Sequence, residues 1–185
     1  MDMIISASRR TDIPAFYSKW FMNRLRAGFC QVPNPMNMKK VTTVSLSPDI
    51  VTAIVFWSKN PAPLLPHLKE LNTRGFDYYF QFTLNDYPRS LEPNVPPFNA
   101  RIETFKDLSS RVGSSRVVWR YDPIIISNFT DFTFHREKFS WIAEELKDKT
   151  QRVVVSIVDF YRKTERRLSL LKEEGFIFKR DVLDS

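Results

Sequence analysis

Residues 52–61 read Thr52-Ala53-Ile54-Val55-Phe56-Trp57-Ser58-Lys59-Asn60-Pro61, and this stretch decides the fold prediction. Its first six residues form a continuous β-prone run, which is typical of a strand buried on both faces of a parallel sheet. After the polar turn, leucines recur at helical spacing until Gly75. The stretch therefore predicts a buried strand, a polar strand end and a helix.

The same order of strand, polar end and helix recurs on both sides of this stretch. The other predicted strands are 4–7, 78–84, 116–121 and 152–158, and the other helices are 15–26, 99–111, 131–147 and 162–174. Two further β-prone runs, 29–32 and 41–46, predict a hairpin or extended excursion. Five strand–helix units predict an α/β fold with a parallel sheet and right-handed crossovers.

The length of the chain limits how much of a barrel it forms. A complete eightfold β/α barrel usually needs about 250 residues, and this chain has 185. We therefore predict a partial TIM-like barrel that is incomplete at its C-terminus, with residues 1–185 as a single β/α domain. Residues 176–178 are a candidate start of a sixth strand, although the chain ends soon afterwards at Ser185.

The composition excludes several classes of protein. Apolar residues make up 43% and charged residues 26%, which is typical of a folded globular protein. The four glycines form no Gly-rich phosphate loop. Cys30 is the only cysteine, so neither an intramolecular disulfide nor a cysteine-ligated metal centre is expected, and His67 and His135 add too little for a metal site.

Charge and hydropathy point to a cytoplasmic protein with an anionic partner. The N-terminus has no basic leader and no run approaches the ~20 apolar residues that span a bilayer, so no membrane association is expected. Lys and Arg outnumber Asp and Glu by 28 to 21, which favours an anionic small-molecule substrate or nucleic acid. Nucleic acid is less favoured because the basic residues are spread out; Arg162, Lys163, Arg166 and Arg167 are interpreted as a solvated helix face.

Polar residues at the predicted strand ends are the candidate site, because parallel strands deliver their C-terminal ends to one face. Asp122 and Asp159 are the candidate catalytic acid–base groups. The candidate substrate-binding residues are Arg9, Arg10, Asp12, Lys59, Asn60, Gln81 and Arg120. The alternative is a closed ionic network in which the arginines pair with the aspartates and no ligand binds.

Other conspicuous side chains are assigned to the core rather than the site. Trp57, Phe82, Trp119 and Tyr121 are expected to be core aromatics, and Cys30 a small buried apolar residue. His67 and His135 lie on predicted helices, away from the strand ends, so neither is predicted to act as a base.

Four motifs resemble the DUF1848 family, a bacterial family of unknown function, over essentially the whole chain. They are Ser6-Ala7-Ser8-Arg9-Arg10-Thr11-Asp12-Ile13-Pro14-Ala15-Phe16-Tyr17, Val55-Phe56-Trp57-Ser58-Lys59-Asn60-Pro61, Tyr79-Phe80-Gln81-Phe82-Thr83-Leu84 and Trp119-Arg120-Tyr121-Asp122-Pro123-Ile124. The resemblance implies a barrel whose longer members carry a C-terminal cysteine cluster, similar to that of radical S-adenosylmethionine enzymes. The resemblance thus implies that full-length members bind a [4Fe–4S] cluster and S-adenosylmethionine. Because this chain lacks the cysteine cluster, neither cofactor is expected in it, and we interpret the chain as C-terminally truncated.

The favoured interpretation is an enzyme-like β/α barrel fragment with a polar, anion-tolerant site at its strand ends; whether it is an active enzyme stays open. One alternative is a basic nucleic-acid-binding module, whose affinity would fall steeply with salt. Another is a metal-free hydrolase or lyase that uses Asp122 and Asp159. An incomplete barrel also exposes a strand edge, which favours a homodimer.

Overall fold

A computed structural model describes residues 3–8 and 11–180. The chain divides into two compact units, Met1–Phe82 (unit 1) and Thr83–Ser185 (unit 2). Compactness alone does not test whether a unit folds independently, so the single domain over residues 1–185 stays a prediction. Arg9 and Arg10 lie outside the described residues.

The described residues of unit 1 form three parallel strands and one antiparallel hairpin. Its parallel strands pair in the order β1, β4, β5, with Ser6 opposite Val55 and Phe56 opposite Phe80. The hairpin pairs β2 with β3. The strand bounds are β1 Met3–Ser6, β2 Phe29–Asn34, β3 Asn37–Ser45, β4 Val51–Ser58 and β5 Tyr78–Thr83.

The core of unit 1 forms around the apolar run that decided the fold prediction. Ile54, Val55 and Phe56 are all buried, as expected for a strand covered on both faces. Phe56 stacks on Phe80 with ring centroids 5.0 Å apart and meets Phe21 edge-on at 5.5 Å. Trp57, expected in the core, is 42% exposed, so that prediction is wrong.

The first predicted helix of unit 1 is broken in two, giving α1 (Ile13–Phe16) and α2 (Ser18–Ala27). The break falls at Tyr17, whose backbone is not helical. Ser18 donates its hydroxyl to the carbonyl of Pro14, a local side-chain bond that competes with regular helix geometry. Gly28 ends α2 in the left-handed conformation, φ 79°.

The second predicted helix of unit 1 begins as a 3-10 turn over Ala62–His67 and becomes α-helical only in α3 (Leu68–Thr73). Pro66 lies inside the 3-10 turn, where its missing N–H and its ring oppose a regular α-helix. Leu64, Leu65, Leu68 and Leu71 are nevertheless all buried, as their helical spacing predicts.

The described part of unit 2 contains two parallel strands, three α-helices and a 3-10 turn over Ser114–Arg116. β6 (Val117–Ile124) pairs with β7 (Val153–Ile157), with Trp119 opposite Val153 and Arg120 opposite Val154. The helices are α4 (Phe98–Val112), α5 (Phe132–Glu145) and α6 (Arg162–Leu171). Trp119 stacks on Phe139 of α5 at 4.8 Å. Trp119, Tyr121 and Phe82 are buried, which confirms them as core aromatics.

The predicted sixth strand is wrong. Phe178 makes only an isolated antiparallel bridge to Ser127. The side chain of Asn128 donates to the carbonyl of Gly175 and accepts the N–H of Ile177, and the N–H of Lys179 donates to the carbonyl of Ile126. The segment is thereby tied to the loop after β6.

The predicted fold class is confirmed: the structure is α/β, built from parallel β/α units of the kind found in a partial barrel. Each of the five parallel strands is followed by helix, in the order expected from the apolar runs. Among the described residues, no helix combines the length and the apolar character that crossing a membrane would require.

Candidate functional site

A cleft of about 840 Å³ opens in unit 2 beyond the C-terminal ends of β6 and β7. Its walls are the 90–94 loop, the two strand ends and one face of α6. Asp122, Ser156 and Asp159 all line it. The cleft is the size of a small-molecule site and lies where parallel strands deliver their polar ends.

Asp122 is fixed at the base of this cleft by side chains on both strands. Its Oδ2 accepts from Arg120, with Nε at 2.9 Å and Nη2 also in contact, and its Oδ1 accepts from the hydroxyl of Ser156. The side chains of Arg120 and Asp122 are only 15% and 18% exposed. Charge-assisted bonds this sheltered from water hold the carboxylate in one orientation.

The backbone of Asp122 is held just as firmly, by the side chain of Asn85. Asn85 is buried and exchanges two hydrogen bonds with Asp122: its Oδ1 accepts the N–H and its Nδ2 donates to the carbonyl, each at 3.2 Å. Arg101 in turn donates to the carbonyl of Asn85 at 2.8 Å and is itself buried. The position of Asp122 is therefore set by both its main chain and its side chain.

A second buried network braces the chain that follows Asp122. The hydroxyl of Tyr121 lies 2.8 Å from Nδ1 of His135, and Nε2 of His135 lies 3.0 Å from the carbonyl of Ile125. A carbonyl only accepts, so Nε2 carries the proton and Nδ1 accepts from Tyr121. Burial lowers the pKa of His135, which favours this neutral form, and raises the pKa of Tyr121. Tyr87 adds to the brace by donating to the carbonyl of Pro123 and accepting the N–H of Ile125.

One face of α6 supplies the outer wall of the cleft. Thr164, Arg167, Leu168 and Leu171 line it, and their spacing places them on the same side of a helix. Glu174, just beyond the helix, also lines it. Among the described side chains, which do not include that of Lys163, none forms a hydrogen bond or ion pair with the side chains of Asp159, Arg167 or Glu174.

Unit 1 has its own strand-end cluster, centred on Asp12. The Oδ2 atom of Asp12 accepts from the hydroxyl of Ser58 at 3.0 Å and from the N–H of Lys59 at 2.9 Å. Its Oδ1 caps α1 by accepting the N–H of Ala15 at 3.0 Å. Burial raises the pKa of Asp12 against the opposing effect of these bonds. The carboxylate thus ties the loop after β1 to the end of β4.

The structure brings some of the predicted site residues together. Arg120 and Asp122 form an ion pair, and Asp159 lines the same cleft. In unit 1, Asp12 joins the backbone of Lys59, and the N–H of Asn60 donates to the hydroxyl of Ser58. Gln81 lies half-buried on β5. Their roles in catalysis and substrate binding stay predictions.

Sequence reasoning missed several residues of the cleft and its support. His135 was assigned to a helix remote from the strand ends, yet it packs under the loop after β6. Arg167 was interpreted as part of a solvated face, yet it lines the cleft. A signal for Arg167 was present, since Thr164, Leu168 and Leu171 share its helix face. No comparable signal marks His135.

The residues of this chain do not fit a cysteine-ligated iron–sulfur cluster. Such a cluster needs several thiolates, and Cys30 is the only cysteine in the sequence. It lies half-buried on β2, and burial raises the pKa of its thiol. Both observations oppose a thiolate at this position.

The parallel strands and the cleft at their ends define an α/β protein with a ligand-sized strand-end site. A family model described as "Domain of unknown function (DUF1848)" matches residues 4–181, and the chain belongs to this family. Neither the curated proteins nor the solved structures gave a significant match.

Proposed function

We propose that the chain has an enzyme-like role, in which the unit 2 cleft binds a small molecule and presents it to Asp159. The observation that carries this proposal is the combination of a cleft of about 840 Å³ with a fixed carboxylate at its base and an unengaged one at its wall. Ligands of open α/β sheets bind at the C-terminal strand ends, which is where this cleft lies.

The two aspartates have different roles in this proposal. Both oxygens of Asp122 are engaged by Arg120 and Ser156, so Asp122 shapes the base of the cleft and orients the Ser156 hydroxyl. Asp159 is exposed and forms no bond with any of the described side chains, so in this proposal it exchanges a proton with the ligand. Asp159 is thus the proposed general acid–base group, which suits hydrolase or lyase chemistry.

In this proposal, Arg167 binds the anionic group that is expected on the substrate. Arg120 is committed to Asp122, whereas Arg167 is a cationic side chain of the cleft with no carboxylate bound to it among the described residues. A guanidinium offers a planar pair of donors that suits a carboxylate or phosphate.

Affinity selection from a metabolite mixture tests the proposal. The full chain is incubated with a metabolite extract from cells and passed through a size-exclusion column. The compounds that elute together with the protein, called retained compounds, are identified by mass spectrometry. We expect retained small molecules that Asp159→Asn and Arg167→Gln lose at least about tenfold, the effect of removing a hydrogen bond to a charged group.

Asp77→Asn is the matched control, because Asp77 is exposed in unit 1 and its side chain bonds to none of the described residues. It should retain the same compounds as the unsubstituted chain. The proposal is wrong if nothing is retained, or if Asp77→Asn and Asp159→Asn lose the same compounds equally.

A further inference from the structure

The charged side chains of the unit 2 cleft carry both signs. Four of its described lining residues carry a charge at neutral pH: Asp122, Asp159, Arg167 and Glu174. Asp122 is neutralised by its ion pair with Arg120. The three remaining charges are two carboxylates and one guanidinium, and none of the described residues bonds to them.

An anion alone does not match this lining. Arg167 would attract it, but Asp159 and Glu174 would repel it. A cation would be attracted by Asp159 and Glu174 but repelled by Arg167. A molecule that carries both charges at separate ends satisfies all three side chains.

We infer that the cleft takes a zwitterionic small molecule, whose carboxylate or phosphate binds Arg167 and whose ammonium group lies between Asp159 and Glu174. This inference rests on the proposed function, since it names the ligand class of that same site. Amino-acid-like compounds are the simplest members of the class.

The uncharged part of the lining fits the same class of ligand. Leu168 and Leu171 lie on the α6 face beside Arg167, with Leu91 and Pro93 also in the lining. These apolar side chains suit the carbon chain that separates the two charged groups. Ser90 and Asn94 add neutral hydrogen-bonding groups to the lining.

A matched set of small probes tests the inference on the full chain. Glycine, 4-aminobutyrate and 6-aminohexanoate are zwitterions of increasing charge separation, while butyrate and butylamine carry one charge on a four-carbon chain. Binding is followed by shifts of backbone amide NMR signals. At least one zwitterion should shift signals of residues 156–171 and bind about tenfold more tightly than butyrate and butylamine, because each lost charged contact costs about that much.

Neighbouring variants on the same helix supply the controls. Arg167→Gln should weaken the best zwitterion about tenfold, whereas Arg166→Gln should leave it unchanged, because Arg166 does not line the cleft. Glu174→Gln and Asp159→Asn should each weaken it, and Glu173→Gln should not. These surface substitutions leave the core intact, so the expected losses do not depend on unfolding.

The inference is overturned if butyrate or butylamine binds as tightly as every zwitterion, if no zwitterion binds, or if Arg166→Gln matches Arg167→Gln. Failure of the inference is distinguishable from failure of the proposed function. If metabolite selection still retains a compound that depends on Asp159, the proposed function stands with another ligand class. If it retains none, both fail.

Discussion

The two units each place an aspartate and a serine at a strand end, but they use the pair differently. In unit 1, Ser58 donates to Asp12, and backbone N–H groups of Ala15 and Lys59 occupy the rest of the carboxylate. In unit 2, Ser156 donates to Asp122, but the other partner is the side chain of Arg120 and the group faces a cleft.

This difference separates a structural brace from a candidate site. A carboxylate that accepts backbone N–H groups fixes the course of the chain and offers little to a ligand. Asp122 is instead held by side chains, and it lines the same cleft as Asp159. Asp159 has no bond to the described side chains, so its carboxylate is available to a ligand in the cleft. Polar residues at strand ends are therefore not sufficient evidence of a site.

Replacing each aspartate by alanine should give the largest contrast. Asp122→Ala removes the carboxylate partner of the sheltered Arg120, so we expect a loss of about 3 kcal/mol in the free energy of unfolding together with loss of the retained metabolites. Asp12→Ala removes a helix cap and two further bonds, for a loss of about 2 kcal/mol, and should leave retention unchanged. Urea unfolding and metabolite selection measure the two effects. Equal loss of retention in both variants would contradict the distinction.

Removing the support of Asp122 should have the next largest effect. Asn85→Ala deletes both hydrogen bonds to the Asp122 backbone at a buried position, for an expected loss of about 2 kcal/mol in the free energy of unfolding. Metabolite retention should weaken as well, because the base of the cleft shifts. Asn99→Ala, at an exposed position of α4, is the control and should change neither quantity.

The pH dependence of stability should report the His135 network. Burial lowers the pKa of His135, so the unfolded chain binds a proton more readily than the folded one. Its contribution to stability is then complete above the ordinary pKa of about 6.5 and declines as the pH falls below it. The free energy of unfolding, measured with urea at pH values from about 7.5 down to about 5, should show this decline. His135→Gln should flatten it and His67→Gln should not; an unchanged slope in His135→Gln would refute the assignment.

The smallest expected effect lies on the surface of unit 1. Arg26 and Arg74 donate to Glu70 and lower its pKa from 4.5 to about 2. The stabilisation is present above the ordinary pKa and is lost as the pH falls from 4.5 towards 2. Glu70→Gln should remove this part of the acid dependence with little change at pH 7, because exposed ion pairs contribute little. A large loss of stability at pH 7 would contradict this account.

Much of the fold follows from local patterns in the sequence. The apolar runs that gave β4 and β6 are largely buried strands in the structure, because side chains that are apolar on both faces of a strand must be covered on both faces. The run that gave β7 also forms a strand, but Val153 and Val155 are 41% and 49% exposed, so its predicted place in the core is wrong. The break at Tyr17 and the 3-10 turn at Pro66 were not predicted. They depend on a single side-chain bond and a single missing N–H, which are weaker signals than hydrophobic periodicity.

The candidate site was predictable only in part. Asp122 and Asp159 were found because polar residues directly after apolar strands converge on one face. Arg167 and Glu174 were not, because their role depends on which side of α6 faces the strand ends. The distinction between Asp12 and Asp122 also needed the structure, since both sit in similar polar turns and differ only in their hydrogen-bond partners.

Mapping of ligand contacts on the full chain tests the central claim most directly. Amide signals are compared before and after addition of the metabolites retained by affinity selection. The account predicts shifts in residues 88–94, 122–125 and 156–171 of unit 2, and none in residues 11–15 or 58–60 around Asp12. Shifts confined to the residues around Asp12 would show that the brace is the site, and would contradict the account.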